Sequence, residues 1–427
     1  MNVRYASLVE SGTQWLEVIP AHWRVARLYQ LATAWTSNVD KHSVEGQSPV
    51  RLCNYTDVYK NDAIVQSMEF MRATATTDQI ARFRLRRGDT IITKDSETPD
   101  DIGIPAYVDY EADDLICGYH LAIIRPNRDL VVPRFLFWAM SAKPTFGQWE
   151  VLASGVTRVG IRSTDLTKAA IALPSVPEQK AIADFLDRET VRIDALVKEQ
   201  EGLVAVLQER RAALIARVLV SGLDSNVPVE PSRVDWLGDL PAHWRTVPTR
   251  YLCKITTGSE DSGNAEDDGE YPFFVRGREI LRIGHYSFDC EAVMTPGDGQ
   301  GGTGKVFHYF NGKFEAHQRV YVYKDFKDLL GRYYFYFLST FLRPVALAGS
   351  NTVTMESLRR PVLADFPVAL PPVEEQRRIV AYLEEQTDKI DALIAEAEGI
   401  VAVAKERRSA LVTAAVTGQI DVRGEVA

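Results

Sequence analysis

The residues of this chain that could do chemistry are arginines, lysines and glycines, and they do not form a catalytic set. Gly299–Lys305 matches the G-x-x-x-x-G-K part of a phosphate-binding loop, but Val306 stands where a magnesium-binding Ser or Thr is required. No apolar strand pattern precedes this loop, which argues against nucleotide binding. Two interpretations remain: a plain hairpin turn, or a turn whose backbone approaches a phosphodiester with Lys305 as the cation.

Two groups of arginines are the second feature of this kind. If the segment 82–87 is a strand, Arg82, Arg84 and Arg86 share one face. A similar group in the second half of the chain contains Arg276, Arg278 and Arg282. Solvated strand faces explain such groups in many proteins. The alternative is contact with phosphates and with guanine edges, for which arginine is the most frequent side chain.

Motifs of hydrolases, metal sites and methyl transfer are missing from the sequence. It has no HExxH, no GxSxG and no Asn/Asp-Pro-Pro-Tyr/Phe tetrad. The four cysteines lack CxxC spacing, which predicts a reducing cytoplasm and no zinc site. No apolar run approaches a membrane span, and the first residues lack a signal-peptide layout. We therefore expect a cytoplasmic, non-catalytic protein without a metal or cofactor of its own.

The sequence element that must position these groups occurs twice in the chain. The 43 residues from Leu173 and the 43 residues from Leu370 are identical at 23 positions, at a constant offset of 197. A shorter repeat, WLEVIPAHWR from Trp15 and WLGDLPAHWR from Trp236, is identical at seven of ten positions at an offset of 221. Because the two offsets differ, the chain consists of two similar frames that hold two inserts of different length.

The long repeat predicts a helix from Glu178 to about Ser221, which would be roughly 65 Å long. Ser221-Gly222 ends the first copy and Thr417-Gly418 the second. Apolar residues at spacings of three, four and seven predict a heptad-like seam. Its predicted members in the first copy are Ile182, Leu186, Ile193, Leu196, Leu203, Leu207, Leu214 and Val218.

Two glycines, Gly202 and Gly399, lie at equivalent positions near the middle of these helices. Glycine costs a helix about 1 kcal/mol relative to alanine. If the two helices pack antiparallel about a pseudo-two-fold axis, their midpoints meet, and the two glycines would then allow the helix backbones to approach each other closely.

The net charge of −9 is unevenly distributed along the chain. The inserts are neutral, with 18 basic and 18 acidic side chains in residues 22–168 and 15 of each in residues 243–365. The acidic excess belongs to the repeats, with 8 against 12 in residues 169–242 and 7 against 11 in residues 366–427. A neutral domain can still gather arginines on one face, so composition does not decide on DNA binding.

Both inserts show mixed α/β patterns. In the first, strands are predicted at Val50–Tyr55, Phe83–Thr93 and Leu121–Ile124, with a turn at Arg87-Gly88-Asp89 before Thr90. A helix entered through proline is predicted at Pro133–Met140. Arg332–Leu338 holds the corresponding place in the second insert, which predicts one fold with a diverged surface. The predicted division begins with a first globular domain and its N-terminal anchor at 1–168, a first long helix at 169–222 and a linker at 223–235. It continues with a second globular domain at 236–368, a second long helix at 369–420 and a tail at 421–427.

The duplicated Leu-Pro-x-x-x-Glu-Gln helix, together with WLxxxPxHWR, resembles the specificity subunits of type I restriction–modification systems. Further similar segments are Arg87–Asp95, Cys117–Leu121, Gly301–Val306 and Glu315–Val320. The resemblance covers essentially the whole chain. It implies two α/β target-recognition domains, separated by two long helices that pack as an antiparallel coiled coil with pseudo-two-fold symmetry.

The same resemblance implies a function without catalysis in this chain. Each insert would read one half of a bipartite double-stranded DNA target, and two methyltransferase subunits would dock on the helical frames. Restriction subunits would add ATP-driven translocation and cleavage. S-adenosylmethionine, ATP and magnesium would then be bound by partner subunits. The alternative that remains open is a coiled-coil scaffold that does not touch DNA.

Candidate site residues follow from the motifs and the resemblance together. The DNA-binding candidates are Arg84, Arg86, Lys94, Ser96, Thr98, Arg158, Arg162, Arg276, Arg278, Gly302, Thr303, Lys305 and Asn351. The candidates for the helix seam or for partner docking are Glu178, Gln179, Ile193, Leu196, Gly202, Glu375, Gln376, Ile390, Leu393 and Gly399. The Glu-Gln pairs are not needed for the seam, so a methyltransferase subunit could use them.

Overall fold

Two compact units make up the protein in a computed structural model that describes residues 4–155, 158–298, 304–348 and 358–425. Unit 1 contains residues 1–200 together with 399–427, and unit 2 contains residues 201–398. Each long helix therefore contributes one half to each unit. Among the described residues, no helix is long and apolar enough to cross a membrane.

The first half of the chain forms short strands and helices and then one long helix. Its strands are β1 (Leu8–Glu10), β2 (Val18–Pro20), β3 (Arg24–Arg27), β4 (Ala32–Thr36), β5 (Ser48–Cys53), β6 (Ala63–Ile64), β7 (Met71–Ala75), β8 (Thr90–Thr93), β9 (Asp95–Ser96), β10 (Pro105–Val108), β11 (Leu115–Cys117), β12 (Leu121–Pro126), β13 (Val159–Gly160) and β14 (Ala170–Leu173). Its helices are α1 (Leu28–Leu31), α2 (Tyr55–Tyr59), α3 (Thr77–Phe83), α4 (Pro133–Met140), α5 (Lys143–Leu152), α6 (Ser163–Leu166) and α7 (Val176–Ser221).

The second half repeats this plan with longer strands. Its strands are β15 (Val229–Pro231), β16 (Asp239–Pro241), β17 (Arg245–Pro248), β18 (Lys254–Thr257), β19 (Tyr271–Phe274), β20 (Ile280–Ile283), β21 (Phe288–Pro296), β22 (His308–Ala316), β23 (Val320–Lys324) and β24 (Pro367–Leu370). Its helices are α8 (Thr249–Leu252), α9 (Gly331–Ala348), α10 (Arg360–Ala364) and α11 (Val373–Val416).

The first insert folds around a five-stranded sheet of order β4-β12-β8-β10-β6, beside a three-stranded sheet of order β11-β5-β7. Its central strands are runs of β-branched residues, such as Thr90–Thr93, and these are fully buried. Helix α4 begins at Pro133, as predicted, because proline suits the first turn of a helix. Its aromatic side chains belong to the core of unit 1.

The predicted strand Phe83–Thr93 is wrong in the part before its turn at residues 87–89. Thr76 caps helix α3 and forms a capping box with Gln79, so the chain up to Phe83 is helical. Only Thr90–Thr93 is a strand, and Arg84 makes an isolated bridge to Ile116. The three arginines of this segment therefore do not line one strand face.

The second insert has a six-stranded sheet of order β18-β23-β21-β22-β19-β20. Its first four strands repeat the order of β4-β12-β8-β10 in the first insert, and α9 occupies the place of α4 in the chain. Within each unit the strand after the WLxxxPxHWR motif pairs with the strand before the long helix, β3 with β14 and β17 with β24. The short repeat thus closes the insert onto the start of the helix.

In unit 1 the two long helices run antiparallel. Ile182 and Leu186, near the start of α7, share a core with Val416, the last residue of α11. Farther along α7, Ile193 and Val197 pack against Ala404, which lies earlier in α11. Contacts that advance along one helix and recede along the other define an antiparallel pair.

Unit 2 contains the other two half-helices in the same arrangement. Val218 and Leu219, at the end of α7, share a core with Ile379 and Leu383 near the start of α11. Arg211, earlier in α7, makes an ion pair with Asp391, which lies later in α11. The antiparallel pairing that the family resemblance implies is thus present in each unit.

The predicted seam is only partly correct. Ile193 and Ile390 are buried as predicted, at 9% and 8% exposure. Leu196 and Leu393 are instead 40% and 50% exposed. The buried positions of α7 in this region are Leu186, Thr190, Ile193 and Val197, which keeps the four–three–four spacing of a heptad seam. Leu196 lies outside that phase, and Leu203, which is 43% exposed, repeats it seven residues later.

Candidate nucleic-acid interface

The first insert brings four polar residues together at the end of strand β8. Strand β9 pairs with β13, which places Lys94 and Asp95 beside Arg158. The Asp95 carboxylate contacts the Lys94 ammonium and lies 2.7 Å from Nδ1 of His120. Nε2 of His120 lies 3.1 Å from Nη1 of Arg158. The result is a continuous chain of polar contacts, Lys94–Asp95–His120–Arg158.

The negative charge of Asp95 holds this series of polar contacts together. Burial by itself would raise the pKa of Asp95, but the hydrogen bonds from Lys94 and His120 outweigh burial and lower it. The carboxylate is therefore ionised at neutral pH. The Lys94 ammonium also lies 5.2 Å from the ring centroid of Tyr119. These contacts hold the cationic groups in fixed positions.

A cavity of about 390 Å³ opens beside the polar chain. It is lined by Tyr55, Tyr59, Asp95, Ser96, Glu97, Asp101, His120 and Arg158. The Tyr55 and Tyr59 rings are stacked, with centroids 5.6 Å apart. The cavity thus combines aromatic surface with charged groups, a combination suited to bases and phosphates.

The other predicted residues of the first insert have different environments. Ser96 is 5% exposed, and its Oγ lies 3.4 Å from the Asp101 carboxylate, so its hydroxyl faces the protein. Arg84 makes an ion pair of 2.7 Å with Asp113. Thr98, Arg162 and Arg86 are exposed. Arg158 and Lys94 are the predicted residues that the polar chain brings together.

The second insert has a smaller charged group at the end of strand β21. The Asp298 carboxylate lies 3.0 Å from the Arg319 guanidinium and 3.9 Å from that of Arg276. Behind them, Nδ1 of the buried His317 accepts the backbone N–H of Arg319 at 2.9 Å. Burial, with the charges of Arg276 and Arg319, lowers the pKa of His317. A neutral imidazole therefore supports the turn that presents Arg319.

The remaining candidates of the second insert contribute less to this group. Arg278 and Lys305 are exposed. Arg282 donates to the backbone carbonyls of Gly269 and Glu270 at 2.6 and 2.7 Å, so it stabilises the backbone at these two residues. Gly302, Thr303 and Asn351 lie outside the described residues.

Sequence reasoning missed His120 and Arg319, because neither belongs to an arginine cluster or a glycine loop. A signal for them was present in two of the family-like segments. Cys117–Leu121 contains His120, and Glu315–Val320 contains Arg319. Each segment leads directly into a strand of the central sheet, β12 or β23.

The Glu-Gln pairs at the helix starts are used inside the protein, which corrects their assignment to partner docking. Gln179 is 1% exposed, and its side chain bonds Val132 N and Pro174 O. Gln376 is fully buried, and its side chain bonds Leu330 N, Asp328 O and Pro371 O. These amides satisfy backbone groups that burial would otherwise leave unpaired, so each one fastens a helix to its own insert.

The glutamates before these glutamines bind the short repeat. Glu178 is 5% exposed and accepts from Tyr5 Oη at 2.7 Å and from His22 Nε2 at 3.2 Å. Glu375 lies 2.8 Å from Nε2 of His243. His22 and His243 are the histidines of the two PAHWR motifs. In both halves of the chain, these contacts therefore attach the short repeat to the long helix.

The prediction that Gly202 and Gly399 allow close helix approach is wrong. Both glycines are exposed, and a Cβ built on either one would meet no heavy atom within 4 Å. Glycine is therefore not required there by the packing of this chain.

Exposed apolar side chains recur on both long helices at matched positions. Leu196 and Leu393, Leu203 and Ile400, and Val206 and Val403 are three pairs at the repeat offset of 197. Their exposures range from 38% to 65%. Singly exposed apolar residues are ordinary, but the same three positions are exposed in both copies. This repetition indicates that these exposed apolar side chains have the same function in both long helices.

Within the part of the chain that the structure describes, no group of three or more His, Cys, Asp or Glu side chains could hold a metal ion.

Comparison with known proteins adds independent information. A family model of the type I restriction modification DNA specificity domain matches residues 51–201 and 241–398. The EcoDI specificity subunit of a type I restriction enzyme from Escherichia coli is 31% identical over 183 residues, which are 43% of this chain and 40% of that protein. The chain thus matches less than half the length of that relative.

Two further similarities extend over most of the chain. A putative type I restriction enzyme specificity subunit, MjaX of Methanocaldococcus jannaschii, is 22% identical over 79% of this chain and 80% of its own. A chain in a solved structure of a type I R-M system, which concerns complex assembly and conformational transition, has a TM-score of 0.69 at 19% identity. That similarity covers 93% of this chain and 98% of the other and concerns the fold alone.

Proposed function

Because the chain belongs to the family of type I restriction modification DNA specificity domains, we propose that it reads a bipartite sequence in double-stranded DNA for a restriction–modification complex. Each insert contacts one half of the target through the charged group at the end of its central sheet. The observation that carries this proposal is the presence of one such group in each insert. Partner subunits supply methyl transfer and cleavage, with their own cofactors.

The charged groups suit DNA in two ways. Arg158 and Arg276 are exposed cations at their edges, able to neutralise phosphates. The hydrogen-bonded residues beside them, His120 and Arg319, reach solvent with side chains that are 27% and 57% exposed. Phosphate contacts fix the position of a protein on DNA, and base contacts specify the sequence. Each insert has an exposed arginine suited to phosphate contact and a hydrogen-bonded basic residue suited to base contact.

DNA binding is tested by gel shift with the assembled complex at several salt concentrations. We expect Arg158→Ala and Arg276→Ala to weaken binding of the target and each to lower the salt dependence, by about 0.9 in log–log slope for one phosphate contact. Matched controls are Arg87→Ala and Lys313→Ala, which remove the same charge near the opposite ends of β8 and β21. If the wild-type complex shows no sequence-selective retardation, the chain is a scaffold without DNA readout.

We also propose that the methyltransferase subunits dock on the matched exposed apolar residues of the long helices. Glu178, Gln179 and Gln376 are buried and Glu375 is partly buried, whereas Leu203, Val206, Ile400 and Val403 are exposed. Two copies of one surface fit two copies of one partner. Association would bury these side chains and remove apolar area from water.

Docking is tested with the double variant Val206→Glu and Val403→Glu, co-purified with the methyltransferase subunit. We expect loss of the assembled complex while the variant itself stays folded by circular dichroism. Val191→Glu is the matched control, because Val191 is 67% exposed but its repeat counterpart is Asp388, so the position is not apolar in both copies. An intact complex with the double variant would place the docking surface elsewhere.

A further inference from the structure

The two inserts place an aspartate and a basic side chain at the same point of their sheets, although their sequences there differ. In the first insert β8 lies beside β12, and in the second β21 lies beside β23, with the same neighbours in strand order. The strand registers pair Leu121 with Thr93 and Val320 with Pro296. These pairs mark the same end of the same two strands in both sheets.

The backbone continues to match beyond these pairs. Lys94 N donates to His120 O at 2.9 Å, and Gly297 N donates to Arg319 O at 2.8 Å. Lys94 O accepts from Ile161 N at 2.9 Å, and Gly297 O accepts from Leu358 N at 2.7 Å. Ile161 and Leu358 are themselves separated by the repeat offset of 197. Lys94 and Gly297 are therefore structurally equivalent, and so are His120 and Arg319.

The side chains then make the same kind of contact in both inserts. Asp95 directly follows Lys94, and Asp298 directly follows Gly297. Asp95 binds His120 at 2.7 Å, and Asp298 binds Arg319 at 3.0 Å. The carboxylate is common to both domains, whereas the residue that it holds is an imidazole in one and a guanidinium in the other.

We propose that His120 and Arg319 are the equivalent specificity-determining residues of the two half-sites, and that Asp95 and Asp298 are their positioning residues. This inference rests on the proposed function and deepens it. Two domains that read different half-sequences need different reading side chains on a shared support. A guanidinium held by a carboxylate matches the O6 and N7 acceptors of guanine, so Arg319 is assigned to a G·C pair.

The backbone at His120 supports a role beyond packing. His120 has φ of +71°, in the left-handed region where residues other than glycine are uncommon, although histidine and asparagine occur there more often than most. Such a conformation in a bulky residue persists where the surroundings over-determine it, and these positions cluster at functional sites. The hydrogen bonds to Asp95 and Arg158 provide that support here.

The test is methylation mapping with the assembled complex, on its own target and on all single-base substitutions of both half-sites. We expect Arg319→Ala to lose discrimination at one base pair of one half-site, by roughly 5- to 150-fold, the range for one bidentate contact. Arg319→Lys should keep binding but lose most of that discrimination, because an ammonium lacks the planar fork. His120→Asn, in which asparagine tolerates the left-handed backbone, should act on the other half-site only.

The positioning residues are tested with conservative variants of similar shape. Asp298→Asn should reduce discrimination at the base pair that Arg319→Ala affects, and Asp95→Asn at the pair that His120→Asn affects. A purely structural role would instead lower methylation uniformly at every substituted target. Arg87→Ala and Lys313→Ala serve as charge controls and should leave the base preference unchanged.

Two failures are distinguishable. If the wild-type complex methylates without sequence preference, the proposed function is wrong. If the wild type is selective, but His120→Asn and Arg319→Ala leave every base preference as it was or lower all rates equally, then the specificity assignment is wrong and the proposed function stands.

Discussion

Gly202 and Gly399 are mid-helix residues with no packing reason to be glycine. Each is exposed, and added Cβ atoms would meet open space. Glycine destabilises a helix interior by roughly 0.5–1 kcal/mol relative to alanine. We therefore predict that Gly202→Ala and Gly399→Ala each stabilise the isolated protein by about that free energy, measured by urea unfolding. Destabilisation by either variant would contradict the open environment of these positions.

The four cysteines differ in environment, and their reactivity should differ accordingly. Burial raises the pKa of the Cys53 and Cys117 thiols and raises that of Cys253 to about 12. Cys290 is partly exposed, and burial raises the pKa of its thiol as well. The thiolate is the nucleophile, so a raised pKa slows alkylation near neutral pH.

We predict that iodoacetamide modifies Cys290 before the other three cysteines in the folded protein. The rate should increase as pH rises from 7 to 9, because the thiolate fraction increases toward the raised pKa. Peptide mass spectrometry after timed quenching measures each site, and Cys290→Ser should remove the fast reaction. Equal early modification of Cys53 or Cys253 would contradict the assigned burial.

At the scale of elements, the long helices carry two matched ion pairs. Arg211 binds Asp391 at 2.8 Å in unit 2, and Arg408 binds Asp194 at 2.9 Å in unit 1. Both arginines and both aspartates are separated by the repeat offset of 197. Arg408 additionally contacts Asp62 of the first insert and lies 5.7 Å from the ring centroid of Trp138. The unit 1 pair thus connects the helices to an insert.

These contacts predict unequal effects of equal substitutions. Arg211→Met should cost less than about 1 kcal/mol, as partly exposed ion pairs do. Arg408→Met should cost about 1 kcal/mol more, because a second ion pair and a cation–π contact are lost with it. Urea unfolding of both variants measures the difference. Equal losses would show that the contacts to Asp62 and Trp138 contribute nothing to stability.

The sequence predicts the long helices well but not which apolar face is buried. The sequence predicts the first helix from Glu178 to about Ser221, and the structure has it at Val176–Ser221. Repeated apolar residues also occur outside the seam, as at Leu196 and Leu203, so periodicity alone cannot separate an inward stripe from an exposed one. The charged groups of the inserts were less predictable still, because the contact between Asp95 and His120 depends on strand register.

At the scale of the whole molecule, the predicted family and the mixed α/β fold with antiparallel long helices are confirmed. The predicted domain boundaries and the DNA contacts remain predictions. The duplication made the architecture predictable from the sequence, because the residues that occur in both copies belong to the repeated helical frames. The inserts lack such a guide, because only their topology is shared.

Helix length should set the distance between the two half-sites on DNA. Two readers on one face of a duplex are spaced near one helical turn, about 34 Å, or a multiple of it. We predict that deleting seven residues from the middle of both long helices changes the spacer length and leaves both half-sequences unchanged. Methylation mapping of cells expressing the variant with its partners measures this, and an unchanged spacer would contradict it.

The discontinuity of unit 1 has a consequence for biosynthesis. Val412, Val416 and Ile420 belong to the same core as Leu28 and Trp138, although unit 2 is translated between them. During translation, unit 2 can complete its core before unit 1 does. The N-terminal part of unit 1 keeps its apolar core residues exposed until residues 399–427 have been synthesised. Such exposure makes a nascent chain prone to aggregation. The protein should therefore depend on co-translational chaperones more than its two similar units, taken singly, would suggest.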